Sequence, residues 1–373
     1  MSSHEALPNE ALPNEALPND PTSIDAGWMQ EALVSAGVAE EATVTDVEFG
    51  GYIGTGQMGR NARYRLTWDD PQGRPVSVVG KFPTDDPTGR ASGFSGSYQK
   101  EWTFYRELVR TVNVRAPKCY VARFDEPGQN FVLLMEDLAG SVQGDQMRGL
   151  NVDEAELAVE QAVALHAPRW GDPTLLQLTF GETSLRTGDE NAARLHAYYD
   201  ACFEPTLARL GANLPDEAIE LVRRFAAKVG AWTTSSSAPA AMLHMDFRPD
   251  NFLFGVEPGA PPLVVVDWQT ITAGPGTHDL AYMIGGSFEP NERTLVERGL
   301  VESYCRRLAA LGIDYPFDAC WRDFRISSLW GVIMSVIATM LAAQTERGDL
   351  MLTTMLRRHA SQAIELDALS LIG

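Results

Sequence analysis

Residues 242–254 read Met-Leu-His-Met-Asp-Phe-Arg-Pro-Asp-Asn-Phe-Leu-Phe, and the spacing inside this stretch decides the fold. His244, Asp246 and Asn251 stand in the pattern H-x-D-x-x-x-x-N between two apolar segments that read as strands. That spacing presents one carboxylate to an acceptor hydroxyl and one amide to a metal. Arg248 follows two residues past Asp246, where a guanidinium can meet a transferring phosphoryl group. Sixteen residues beyond Asn251, the run Leu263-Val264-Val265-Val266 ends in Asp267-Trp268-Gln269. A carboxylate at the tip of a buried strand is the expected second metal ligand. Three polar residues at this spacing occur by chance in many chains, so the flanking strands and the strand-end Asp267 carry the specificity.

Upstream, the segment from Val44 to Gly51 alternates as a strand and runs into Gly54-Thr55-Gly56-Gln57-Met58-Gly59, a G-x-G-x-x-G loop. A dinucleotide-binding loop of this form opens a helix. Here the next residues, Arg63 to Trp68, alternate as a strand and turn at Asp69-Asp70-Pro71-Gln72-Gly73. Strand, glycine loop and strand make a hairpin that covers phosphates, with Gly54, Gly56 and Gly59 as its nucleotide contacts. The third strand, Val76 to Lys81, places Lys81 on the α- and β-phosphates, the alternative being an ordinary surface lysine. From Tyr98 to Val109 the period becomes helical, with Trp102, Tyr105, Leu108 and Val109 on one face. Glu101 is the expected partner of Lys81, and Glu107 its rival. Two apolar segments, Cys119 to Phe124 and Phe131 to Met135, then lead into Met135-Glu136-Asp137-Leu138. This is the expected hinge, with Glu136 and Leu138 offering backbone groups to an adenine edge.

Beyond residue 150 the pattern is mostly helical: 153–166, 191–210, 215–232, 292–311, 321–344 and a last helix to about 369. His166 reads as a satisfied core histidine. Asp279, after Gly274-Pro275-Gly276-Thr277-His278, caps an apolar helix or supports the 244–251 loop from behind. At the other end, residues 5–19 are three copies of Glu-Ala-Leu-Pro-Asn, and a proline in each copy blocks helix and central strand alike. A disordered tail over 1–24 is expected, followed by a helix capped at Asp25 and stopped at Gly37. The chain then divides into a nucleotide-binding lobe, 25–137, and a catalytic, largely helical lobe, 138–373.

The 373 residues, 45% hydrophobic, suffice for two lobes with real cores. Lys and Arg number 30 against 50 Asp and Glu, a net charge of -20. This argues against nucleic acid or an anionic membrane as partner. A polyphosphate would need local cations and a metal. Cys119, Cys202, Cys305 and Cys320 show no C-x-x-C spacing, and the N-terminus carries no secretory leader, so reduced thiols and a cytoplasmic setting are expected. The uncharged run from Ile326 to Thr345 could cross a bilayer by length, but Ser327, Ser328, Gly331, Ser335, Thr339 and Gln344 make a buried helix the better reading.

Together these elements resemble the protein-kinase-like fold in its small-molecule branch, the aminoglycoside phosphotransferase and choline kinase superfamily, over residues 27–370. Leu134-Met135-Glu136-Asp137-Leu138, Glu101-x-x-x-Tyr105, Leu165-His166-Ala167 and Asp267-Trp268-Gln269 look most like the ecdysteroid-kinase-like (CHK kinase-like) family. The resemblance implies an α+β bilobal fold, with a small antiparallel sheet and one main helix before a larger helical lobe. It also implies ATP and Mg2+ as cofactors, Lys81 on the phosphates with Glu101 bridging to it, Asp246 as the catalytic aspartate, and Asn251 and Asp267 as magnesium ligands. Only 11 residues separate Asp267 from Asp279, with no Ala-Pro-Glu after them, which leaves no room for a long activation segment. A protein substrate is therefore not expected. The expected activity is transfer of the ATP γ-phosphate to a hydroxyl of a small molecule. An apolar alcohol is favoured because Trp321, Phe324, Trp330, Met334, Met340, Met351 and Met355 offer adaptable apolar walls. The alternatives are an aminoglycoside kinase, which needs an acidic pocket, and a nucleotide-binding pseudokinase, against which the intact set Lys81, Asp246, Asn251 and Asp267 stands.

Overall fold

A computed structural model of the chain describes residues 17–39, 41–54, 59–85, 96–125, 130–180, 183–184, 189–341 and 344–373. Most of the five-residue repeats, and Gly56 of the glycine loop, lie outside these residues.

Five antiparallel strands form the first sheet: β1 (Val44–Ile53), β2 (Gly59–Trp68), β3 (Ser77–Pro83), β4 (Cys119–Asp125) and β5 (Asn130–Glu136), in the order β1-β2-β3-β5-β4. The two-residue side-chain period sorts it into two faces. Ala62, Tyr64, Leu66, Trp68, Val78, Val132 and Leu134 pack against Met29, Ala32 and Leu33 of helix α1 (Ala26–Ser35). Val79, Phe131, Leu133 and Met135 face Tyr98, Phe104, Tyr105 and Leu108 on and after α2 (Ser97–Thr103). With helices on both faces, β5 is buried along almost its whole length. The α2 segment does not continue as a regular α-helix. It opens into a wide π turn over Phe104–Leu108 and closes in a 3-10 turn at Val109–Thr111.

Asp25 caps α1, its carboxylate accepting from the Trp28 N–H at 2.8 Å, as its position before the helical pattern predicts. Residues 17–24, assigned on sequence to the tail, carry structure. Asp20 caps a 3-10 turn at Pro21–Ser23, and the Pro21 carbonyl accepts from Tyr64 Oη at 2.7 Å.

The rest of the chain builds β6 (Ser141–Gln143), α3 (Val152–His166), the ribbon β7 (Thr179–Phe180) and β8 (Thr183–Ser184), α4 (Asp189–Leu210), α5 (Asp216–Ala226), α6 (Val229–Trp232), β9 (Ala240–Leu243), β10 (Phe252–Gly255), β11 (Leu263–Val265), β12 (Thr272–Pro275), α7 (Thr277–Ser287), α8 (Pro290–Ala310), α9 (Phe317–Ser327), α10 (Leu329–Leu341) and α11 (Glu346–Glu365). The helix expected over 215–232 is interrupted between Ala226 and Val229. The one expected over 321–344 begins earlier, at Phe317, and divides at Ser328, whose hydroxyl turns back to the Arg325 carbonyl at 2.7 Å. Together α9 and α10 are long and apolar enough to cross a membrane, yet most of the span is buried inside the protein. The hydroxyls of Ser335 and Thr339 are satisfied one turn back, at the Gly331 and Ser335 carbonyls, both at 2.7 Å.

The strands on either side of the 244–251 loop do not pair with each other. β9 pairs with β12, whereas β10 lies between β11 and β6. The loop therefore crosses from one small sheet to another, and it is β10 and β11, after the loop, that form a hairpin.

Candidate active site

Lys81, Glu101 and Asp267 meet at one point. Lys81 Nζ lies 2.7 Å from Glu101 Oε2 and 3.1 Å from Asp267 Oδ1, and both Lys81 and Glu101 are buried. Glu107, the rival partner, is exposed. Burial alone would push the ammonium's pKa down, but Asp267 and Glu101 outweigh it and hold the group above the ordinary lysine range. Burial raises Glu101 above its usual value. It acts on Asp267 in the same sense, but Lys81 and a hydrogen bond from Gln269 hold that carboxyl below the usual range. The ionised Asp267 therefore stays at its strand end, with a left-handed φ of 68°. The Trp268 N–H donates to Glu101 Oε1 at 3.3 Å, and the Trp268 ring stacks on Phe104, centroids 3.7 Å apart, which fixes the strand end against the wide turn after α2.

Two glycines of the loop over this site can be placed. Gly54 has a φ of +76°. A Cβ at Gly59 would meet the Phe82 carbonyl at 3.1 Å and Lys81 Cε at 3.3 Å, so a larger residue there would crowd the lysine.

The 244–251 loop is held from behind by Asp279, which is fully buried in the first turn of α7. Its carboxylate accepts from the backbone N–H groups of His244 and Met245, each at 2.7 Å, and contacts His166 Nε2 at 3.2 Å. His166 Nδ1 is in turn 2.8 Å from Tyr304 Oη. Of the two roles expected for Asp279, capping and loop support, the structure shows support. His166 is a satisfied core residue that steadies this carboxylate. Burial works to raise the Asp279 pKa, but His166 and the loop donors pull it below the usual carboxylate range. Met245 adopts a φ of 69°, and Trp330 Nε1 donates to its carbonyl at 3.0 Å. His244 Nε2 meets the Val266 carbonyl at 3.0 Å and its Nδ1 the Asp246 N–H at 3.3 Å, partners that assign Nε2 as donor and Nδ1 as acceptor.

Asp246 is surrounded by donors. Asn251 Nδ2 reaches its Oδ2 at 2.8 Å and its carbonyl at 2.8 Å, Arg248 Nε lies 2.9 Å from Oδ1, and the Tyr282 hydroxyl donates to Oδ1 at 3.2 Å. The Asn251 amide nitrogen is thereby committed, which turns its Oδ1 away from Asp246. Across the β10–β11 hairpin, the Val266 N–H donates to the Asn251 carbonyl at 3.0 Å, so Asn251 and Asp267 are neighbours through one backbone bond. Among the described residues no group of three or more His, Cys, Asp or Glu is gathered for a metal. One amide oxygen and one ionised carboxylate do fit magnesium, which needs few protein oxygens when phosphates supply others.

Arg248 is engaged within the loop itself. Its guanidinium is spent on Asp246 and, through Nη1, on Asp250 Oδ2 at 3.1 Å, with Met355 Sδ at 3.9 Å. The proposed apolar walls are largely core: Trp321 and Phe324 stack within one cluster, Trp330 and Met355 are buried in another, and Met340 is exposed. At the expected hinge, the Glu136 N–H is spent on the Lys118 carbonyl at 2.8 Å, and its side chain on Arg115 and the Lys118 N–H. The Leu138 N–H has no backbone acceptor among the described residues. Tyr282 was not singled out from the sequence. The available signal was its place three residues after Asp279, on the same helical face.

The chain belongs to the phosphotransferase enzyme family, whose model matches residues 59–317. Solved structures share its protein-kinase-like fold. A microcompartment-associated aminopropanol kinase is 15% identical with a TM-score of 0.51, over 93% of this chain and 100% of that one. Plasmodium vivax ethanolamine kinase is 12% identical with a TM-score of 0.55, over 92% and 89%. Wild-type aminoglycoside 2'-phosphotransferase-IIIa in its GDP complex is 15% identical with a TM-score of 0.52, over 89% and 97%. No curated protein matches the chain by sequence.

Proposed function

We propose that this chain is an ATP-dependent kinase that moves the γ-phosphate to a hydroxyl of a small molecule. The observation that carries the reading is the meeting of Lys81 with Glu101 and Asp267 beside a loop whose Asp246 is oriented by Asn251. Lys81 holds the α- and β-phosphates, with Gly54 and Gly59 over them and the 136–138 segment against the adenine. Magnesium, held by Asn251 Oδ1 and Asp267, would neutralise charge on the phosphates. Asp246 accepts a hydrogen bond from the acceptor hydroxyl and aims its oxygen at the γ-phosphorus. The new O–P bond forms as the bond to the β,γ-bridging oxygen breaks. ADP leaves, and the hydroxyl proton passes to Asp246. Arg248 keeps the carboxylate in its aim.

For the acceptor we favour a neutral compound with an apolar part over a polycation. Around the loop, Asp246, Asp250 and Asp279 are each already engaged by internal donors, so none is an open anionic contact for a polycation, whereas the half-buried Met245 is an apolar side chain within the loop. The solved neighbours are, by their names, kinases of aminopropanol, ethanolamine and aminoglycosides, so these compounds belong in the test. Thermal unfolding is followed with MgADP present while apolar alcohols, amino alcohols and aminoglycosides are added in turn. Stabilisation by an apolar alcohol supports this acceptor. Stabilisation by aminoglycosides alone overturns it.

A further inference from the structure

The catalytic carboxylate is backed, through Tyr282, by residues that lie beyond the 59–317 span of the family match. Tyr282, on α7, donates its hydroxyl to Asp246 Oδ1 at 3.2 Å. Its ring lies flat on that of His359 from α11, centroids 5.0 Å apart and planes 6° from parallel. His359 is fully buried, and neither ring nitrogen has a hydrogen-bond partner. Burial pushes its imidazole down to about 3, so the ring that meets Tyr282 is neutral and the contact is one of shape. Helix α10 permits this packing at one position: a Cβ at Gly331 would stand 2.1 Å from His359 Nδ1 and 2.3 Å from its Cγ. No side chain larger than hydrogen fits there while the ring keeps its place. A second route runs from α11, since Met355 Sδ lies 3.9 Å from Nη1 of Arg248, whose guanidinium is ion-paired with Asp246 Oδ1.

We propose that Tyr282 is a positioning residue for Asp246, held in place by the His359 ring on α11 and the space left for that ring at Gly331. The purpose of Asp246 itself rests on the kinase reading above. Burial, and next the Asp246 charge, raise the Tyr282 pKa well above the ordinary tyrosine range, so the hydroxyl keeps its proton and can only donate to the carboxylate. Asp279 and Tyr282, three residues apart on α7, hold different parts of the loop. Asp279 fixes the backbone at 244 and 245, and Tyr282 fixes the side chain at 246.

The test uses the full chain labelled with 13C at the tyrosine ζ-carbons, with the Tyr282 resonance assigned by its loss in Tyr282→Phe. That substitution keeps the ring on His359 and removes only the hydroxyl. The Tyr282 resonance should shift in Asp246→Asn and in Gly331→Ala. Phosphate release from MgATP, with water as acceptor, should fall roughly tenfold in kcat in Tyr282→Phe with the nucleotide KM unchanged. A resonance indifferent to Asp246→Asn, or a wild-type kcat in Tyr282→Phe, overturns the proposal. A chain that shows the resonance shift yet moves no phosphate from MgATP to water or to any acceptor of the thermal-shift panel would overturn the kinase reading and leave the hold of Tyr282 on Asp246 standing.

Discussion

Lys81 and Asp267 are 186 residues apart in the chain, yet Lys81 Nζ lies 3.1 Å from Asp267 Oδ1, and this contact ties the sheet to the end of strand β11. Because Glu101 approaches the same ammonium at 2.7 Å, two carboxylates share one cation, and the Lys81 and Glu101 side chains are both buried. Removing the cation leaves uncompensated charge, which costs far more than an exposed pair would.

Lys81→Met is therefore expected to lower stability by about 3 kcal/mol and to weaken MgADP binding more than tenfold. Denaturant unfolding and calorimetric titration measure the two effects. Unchanged stability would mean that Glu101 and Asp267 find other partners.

Arg248 presents a different balance, since its guanidinium lies between Asp246 and Asp250. Burial would lower its pKa, but the two carboxylates keep it raised, so it remains charged at every accessible pH. Arg248→Ala should cut kcat by about a hundredfold while the nucleotide KM moves less than about threefold. A rise in KM with kcat preserved would return Arg248 to the phosphates and away from Asp246.

The folded pKa of Asp279 lies below its reference of 3.8, so its ionised form contributes stability above about pH 4 that is lost as pH falls through the folded value. The Tm of the wild type should drop steeply below pH 4. In Asp279→Asn that drop should be shallower, on top of a loss of about 1–3 kcal/mol at neutral pH from the loop N–H groups left poorly matched. Parallel Tm curves for the two proteins across this range would show that another group governs the acid limb.

Much of this site is legible in the chain because each part sits on a regular element of short period. Lys81 ends a β-branched run, Glu101 enters a helix one turn before Tyr105, and Asp246 and Asn251 are fixed by loop spacing. What escapes the sequence is the partner each side chain chooses once the loop has folded. An arginine two residues past Asp246 reads as a phosphate ligand, and its ion pair with Asp250 is not legible from that spacing. Tyr282 and His359 look like ordinary residues of apolar helices, and only the tertiary packing at Gly331 aligns them behind Asp246. The strand pairing was also hidden, since β9 and β10 flank the loop like a hairpin but take β12 and β11 as partners. Short apolar runs state that a strand exists and leave open which neighbour it pairs with.

The most direct test of the account is phosphate transfer from MgATP by Asp246→Asn, measured against wild type with the best acceptor of the thermal-shift panel. The asparagine keeps the size of the side chain and its place beside Asn251, so nucleotide binding should persist while kcat falls by well over a hundredfold. If the variant keeps more than about a tenth of the wild-type kcat, a loss of under roughly 1.4 kcal/mol in the barrier, then Asp246 is not the residue that aims the acceptor, and the account of this site is contradicted.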